Sequence, residues 1–206
     1  FWAAVLMTAF KLWLTNGQQI FAIGFAGHDD RLFLQLAEHL LQGDWLGPYN
    51  QMTLAKGPFY SLWIAFVFIL GVPLYLSQHL LYASACALLV RASAPGLPSA
   101  PARFAGYALL LWNPMSYDAS SMARVLRQQV YSPLILLVFA GLVALYYRRQ
   151  ESFPRQARWS VLLGLSFAAF WLTREEGLWI MPSVILLAGA VLMGAWRDSR
   201  EILMRS

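Results

Sequence analysis

Seven apolar runs, separated by short polar connections, constrain this chain more than any single motif. They cover about 2–14 (or 2–25), 59–74, 75–90, 104–118, 131–147, 159–173 and 178–196. A helix crossing the hydrocarbon core needs about 20 residues, fewer where the bilayer thins. The composition agrees: of 206 residues, 59% are hydrophobic and 12% charged, whereas a soluble domain is roughly half apolar and a quarter charged. One core of this size cannot hide that much apolar surface, so the bilayer must act as solvent. The fold class predicted is all-α, a multi-pass transmembrane helical bundle with an interfacial helix in its first outer loop. Residues 1–206 form a single transmembrane domain, read as the N-terminal piece of a longer protein. The first apolar run has no cleavage-site signature and is read as a membrane anchor rather than a signal peptide. Nine Trp and nine Tyr suit interfacial belts.

The net charge is +5, but the arginines fall in short loops between apolar runs. That is the positive-inside pattern, not a nucleic-acid footprint. Arg148, Arg149, Arg155 and Arg158 mark one cytoplasmic loop, and Arg197, Arg200 and Arg205 a cytoplasmic tail. Two crossings between them place Arg174-Glu175-Glu176-Gly177 outside. Counting backwards puts Arg91 and Arg103 inside, and Asn113 to Gln129 outside. The loop 26–57 is then outside only if an odd number of crossings lies in 58–90. The preferred solution is that 75–90 spans, while 58–72 lies along or dips into the outer leaflet, broken at Gly71-Val72-Pro73. The alternative is two true crossings, with the Arg91/Arg103 loop violating the rule. Cys86 is the sole cysteine, so there is no disulfide framework or thiolate metal site.

The densest polar chemistry lies between Gly27 and Ser61. Residues 31–42 carry Leu32, Phe33, Leu36, Ala37, Leu40 and Leu41 at helical spacing. The helix is too short and polar to span, so it should lie in the interface. Gly43 is its C-terminal stop and Trp45 its anchor. Asp29 and Asp30 come just ahead. One can cap the helix, and the other can serve as a general base. His28 beside them leaves a divalent metal open as a cofactor, although no spaced ligand pattern accompanies it. Lys56-Gly57-Pro58 is either a snorkelling lysine before a helix or a phosphate ligand with close backbone approach. Arg174 either pairs with Glu175 or Glu176 in a turn, or is held by that carboxylate so that its guanidinium binds a donor phosphate. Arg124 and Arg127, read as one helical turn apart, can clamp an anionic headgroup or bind ordinary acidic lipid. Asp118 and Asn113 are weaker candidates. Lys11 snorkels or faces the bundle, and His39 and His79 have no partner pattern.

Asp29-Asp30, Phe33, Gly43-Asp44-Trp45 and Lys56-Gly57-Pro58 occur in an order and approximate spacing that resemble the first outer loop of the GT-C glycosyltransferases. That family includes protein O-mannosyltransferases and the bacterial aminoarabinose transferase of lipid A. The likeness covers roughly residues 20–75, and Thr173 to Gly177 with Pro182 looks like a later segment of such proteins. Two departures are visible: Gly57 stands where the first Pro of the usual Lys-Pro-Pro-like motif falls, and the second acidic residue is Asp. The resemblance implies a GT-C-like enzyme of the bacterial inner membrane and cell envelope, transferring a sugar from a polyprenyl-phosphate donor. The acceptor hydroxyl would belong to a lipid, glycan or protein. Asp29, with Asp30 next to it, would act as general base, while Lys56 and Arg174 would stabilise the departing phosphate. No Rossmann fingerprint is present, and none is needed for a donor arriving through the membrane. The competing readings are a lipid-linked glycan flippase or transporter, or a scaffold of polysaccharide assembly.

Overall fold

The computed structural model describes residues 2–20, 22, 29–49, 56–116, 124–174 and 177–205, with side chains except those of Asp29, Met115 and 199–205. His28, Asp118, Glu175 and Glu176 lie outside the described residues, as does the side chain of Asp29. The described chain is all-helical and contains no strand. Its helices are α1 (Trp2–Thr15), α2 (Asp29–Leu41), α3 (Phe59–Ile69), α4 (Leu74–Ala92), α5 (Ala100–Leu111), α6 (Gln128–Tyr147), α7 (Phe153–Trp171) and α8 (Met181–Arg205). Short 3-10 turns at Pro114–Ser116 and Gly177–Ile180 follow α5 and precede α8.

Among the described residues, two segments are long and apolar enough to cross a membrane, Gln128–Tyr147 and Gly177–Asp198. A third results if α3 and α4 are taken as one broken span. Their axes bend by 112° at a break where Gly71 takes φ +67°. A straight continuation would bend little and a hairpin of two crossings would nearly reverse, so α3 lies across the direction of α4.

Other helices begin or end for local reasons. At about 1.5 Å per residue, α5 with its 12 residues is about 18 Å long. It starts at a Ser99 cap, whose hydroxyl accepts from the Ala102 amide at 3.2 Å, and stops at Leu111 because Pro114 disfavours a helical Asn113. The apolar run 104–118 therefore does not become one helix. Residues 159–171 of the run at 159–173 belong to a longer helix, since α7 begins at Phe153 with Pro154 in its first turn and ends at Trp171. That start brings Arg155 and Arg158 onto the helix.

Helix α6 is central, packed against α4, α7 and α8. Small residues let these helices approach closely. Ala92 of α4 packs against Ala140 and Ala144 of α6. A methyl group at Gly141 would stand 2.7 Å from the Leu163 Cβ of α7. By contrast Ile185, Leu186, Leu192 and Met193 of α8 point outward.

The connections from α4 to α8 alternate between two ends of the bundle. At one end Arg148 donates to the carbonyls of Ala92 (2.8 Å) and Arg91 (2.7 Å), and Arg149 bonds Asp198 at 2.7 Å. The α4–α5 loop, the α6–α7 loop and the C-terminal part of α8 thus meet at a basic end. At the other end Arg127, ahead of α6, donates to the Thr173 carbonyl after α7 at 3.3 Å.

Helix α2 packs on α3 through Phe33, Leu36 and Ala37, all buried. Phe33 meets Tyr60 edge-on at 5.0 Å. Leu41, expected on the buried face, is exposed. The helix ends as Gly43 predicts: Gly43 has φ +86°, its amide bonds the Leu40 carbonyl at 3.2 Å and the Asp44 amide bonds His39 at 2.9 Å. This paired closure is the Schellman motif. Trp45 stands exposed beyond it.

Candidate functional site

The mixed-charge end gathers several residues singled out in the sequence. Asp29 and Asp30 form the first turn of α2, not a position ahead of it. Asp30 is 0% exposed and takes both ends of the Arg124 guanidinium, Nη2 to Oδ1 at 3.0 Å and Nε to Oδ2 at 3.2 Å. A forked pair of this kind holds geometry as well as charge. With both oxygens engaged by Arg124, Asp30 anchors the start of α2.

Arg124 and Arg127 do not share a helical face. Arg124 precedes α6 and turns to Asp30, while Arg127 occupies the N-cap position of α6 and reaches Thr173. The expected two-arginine clamp is therefore divided between two structural ties.

Lys56-Gly57-Pro58 runs against the end of α7. The Phe59 amide donates to the Leu172 carbonyl at 3.1 Å. A Cβ on Gly57 would lie 2.1 Å from that same oxygen. The close approach expected of Gly57 is thus an approach to backbone, and it excludes any side chain. Pro58 sits at the N-cap of α3, and Lys56 is half-buried beside this junction.

Arg174 lies 5.3 Å from the Tyr131 ring centre. Both line a cavity of about 360 Å³ between α4, α6 and the α7–α8 turn, within the usual range for small-molecule sites. Its polar wall consists of the carboxamides of Gln78, Asn113, Gln128 and Gln129 and the hydroxyls of Tyr82, Ser116, Tyr131 and Ser132. Trp179 adds an aromatic face and Arg174 a cation. Pro133, also in the wall, has no amide hydrogen and interrupts the helical bonding of α6 there.

Gln78 is the most informative of these. It is 2% exposed, and its Nε2 donates to the Tyr60 hydroxyl at 3.0 Å. Its Oε1 is buried without a hydrogen-bond partner among the described residues. A buried acceptor left unpaired costs about 1–3 kcal/mol.

Behind the wall lies Lys11, 3% exposed. Its Nζ donates to Ser116 Oγ and the Leu111 carbonyl, each at 2.6 Å, and sits 5.1 Å from the Tyr82 ring centre. Of the two readings of Lys11, the structure selects the bundle-facing one. It holds Ser116 and Tyr82 in place, and Tyr82 in turn donates to the Leu110 carbonyl at 2.7 Å.

Of the described residues proposed from sequence, Arg174 and Asn113 line the cavity. Asp30, Arg124, Arg127 and Gly57 fix the segments around it. Gln78, Tyr82, Ser116 and Trp179 were not singled out, although Gln78 is visible as a carboxamide inside an apolar run. Among the described residues, no group of three His, Cys, Asp or Glu side chains is arranged to hold a metal ion. No family model, curated protein or solved structure matches the chain.

Proposed function

We propose that this protein is a GT-C-like membrane glycosyltransferase of the bacterial inner membrane, a multi-pass bundle with its cavity at the outer face. The observation that carries the reading is the set of polar groups in a largely apolar cavity wall: four carboxamides, four hydroxyls of which Tyr82 and Ser116 are already bonded within the protein, a tryptophan face and one arginine. Carboxamides and hydroxyls both donate and accept, which suits a polyol. The single guanidinium suits one phosphate.

In the reaction, the acceptor hydroxyl of a lipid, glycan or protein attacks the anomeric carbon of a polyprenyl-phosphate sugar. A new C–O bond forms as the bond from that carbon to the phosphate oxygen breaks. The proton passes to Asp29, because Asp30 is tied to Arg124. The phosphate leaves as an anion whose charge Arg174 stabilises from the cavity wall; Lys56, outside that wall, is the second cation that the family resemblance assigns to it. Asp30, Arg124 and Arg127 hold the loops in position.

The test is sugar transfer from a polyprenyl-phosphate donor in membranes carrying the protein. Loss of a general base slows a reaction roughly 10²–10⁴-fold. Asp29→Asn should fall in that range with protein level and helicity unchanged. Undiminished transfer removes Asp29 from the mechanism.

One observation favours a second reading, a lipid-linked glycan transporter. The break between α3 and α4 with its 112° bend is a kind of helix interruption found at transporter sites. Movement of labelled donor between leaflets without formation of a glycosylated product would establish that reading over the first.

A further inference from the structure

The basic end contains a second concavity, of about 680 Å³, between α4, the α6–α7 loop and α7. Its rim carries Arg91, Arg148, Arg155, Arg158 and Glu151, and Leu88, Trp159 and Leu162 form the rest of the lining. Four guanidiniums against one carboxylate leave a surplus of positive charge.

The arginines are not equivalent. Arg148 closes the end of α4 through the Arg91 and Ala92 carbonyls and stacks on Trp159 at 5.5 Å. Glu151 is shared between Arg148 at 3.7 Å and Arg155 at 3.5 Å. Arg91 and Arg158 have no side-chain hydrogen bond or ion pair among the described residues, and both are exposed. Elsewhere at this end Arg149 is neutralised by Asp198, and Arg103 bonds the Pro98 and Ser99 carbonyls.

We propose that this concavity binds the phosphate headgroup of an anionic phospholipid, with Arg91 and Arg158 as its ligands and Leu88, Trp159 and Leu162 against the upper part of its acyl chains. The positive-inside bias accounts for arginines in this loop. It requires neither their convergence on one hollow nor an apolar lining beneath them. That pairing of a basic rim with an apolar lining fits a lipid better than a free phosphate, and basic pockets between membrane helices on this side are known lipid sites.

The experiment is native mass spectrometry of the purified protein after equilibration with phosphatidylglycerol or phosphatidylcholine. The parent should retain phosphatidylglycerol in preference to phosphatidylcholine. Arg91→Gln with Arg158→Gln should reduce that retention roughly 10- to 30-fold, while Arg197→Gln, at the same end but outside the hollow, should leave it unchanged. Glu151→Gln, which removes the carboxylate, should raise retention. Equal retention of the two lipids, an unchanged double variant, or a fall on Glu151→Gln each overturns the proposal. So does a result in which inorganic phosphate raises the thermal midpoint and phosphatidylglycerol does not, since the hollow would then take a soluble anion.

Discussion

The two ends of this bundle handle charge in opposite ways. At the mixed-charge end, Asp30 is fully buried and fork-bonded to Arg124, Arg127 is bonded to a backbone carbonyl, and Arg174 faces Tyr131. At the basic end, among the described residues, no carboxylate is fully buried: Arg149 pairs with a partly exposed Asp198 at 2.7 Å, Arg155 reaches Glu151 at 3.5 Å, and Arg91, Arg103, Arg158 and Arg197 have no carboxylate partner. Charge that is paired and dehydrated holds segments in one geometry, because breaking it is costly. Charge that is solvated attracts an anion without shaping a site around it. The first arrangement suits a reaction that needs position. The second suits holding a headgroup and orienting the protein in the bilayer.

The contrast is sharpest for carboxylate removal. Asp30→Asn leaves the Arg124 guanidinium, partly buried, without its partner, and should cost about 3 kcal/mol. Glu151→Gln, an exposed loop pair, should cost at most about 0.5 kcal/mol. Denaturant or thermal unfolding of the detergent-solubilised protein measures both. Adding Arg124→Gln to Asp30→Asn should lose less than the sum of the single changes. Equal effects at the two ends would erase the distinction.

A smaller effect is expected at glycines. Gly57→Ala places a methyl 2.1 Å from the Leu172 carbonyl oxygen and should cost roughly 1–3 kcal/mol by forcing the α3 entry off the end of α7. Gly164→Ala, inside α7 with nothing within 4 Å of its added methyl, should stabilise by up to about 1 kcal/mol. Unfolding midpoints of the two variants should therefore shift in opposite directions.

What could be read in advance followed the range of each interaction. The α2 helix and its stop were legible because periodicity and a positive-φ glycine are local signals. The special role of Gly57 was legible too, but its partner was not: Leu172 is distant in sequence, and only packing brings it there. The Asp30–Arg124 pair joins residues 94 positions apart, so no spacing rule reveals it. Lys11 stood out as a charge in an apolar run, which is why a bundle-facing position could be weighed. Gln78 did not, because averaging hydropathy over a run conceals one carboxamide. The early end of α5 had a local signal in Asn113-Pro114, outweighed in a hydropathy reading by the apolar residues around it.

The central claim is that the cavity at the mixed-charge end takes a phosphate-linked sugar. The direct measurement is mass spectrometry of lipid retained by the purified protein, comparing the parent with Arg174→Gln and Gln78→Leu. The account predicts an intact polyprenyl-phosphate sugar on the parent and its loss from both variants, with the Arg91/Arg158 double variant still carrying it. Retention of that donor by both cavity variants, or its loss only from the basic-end variant, would contradict the account.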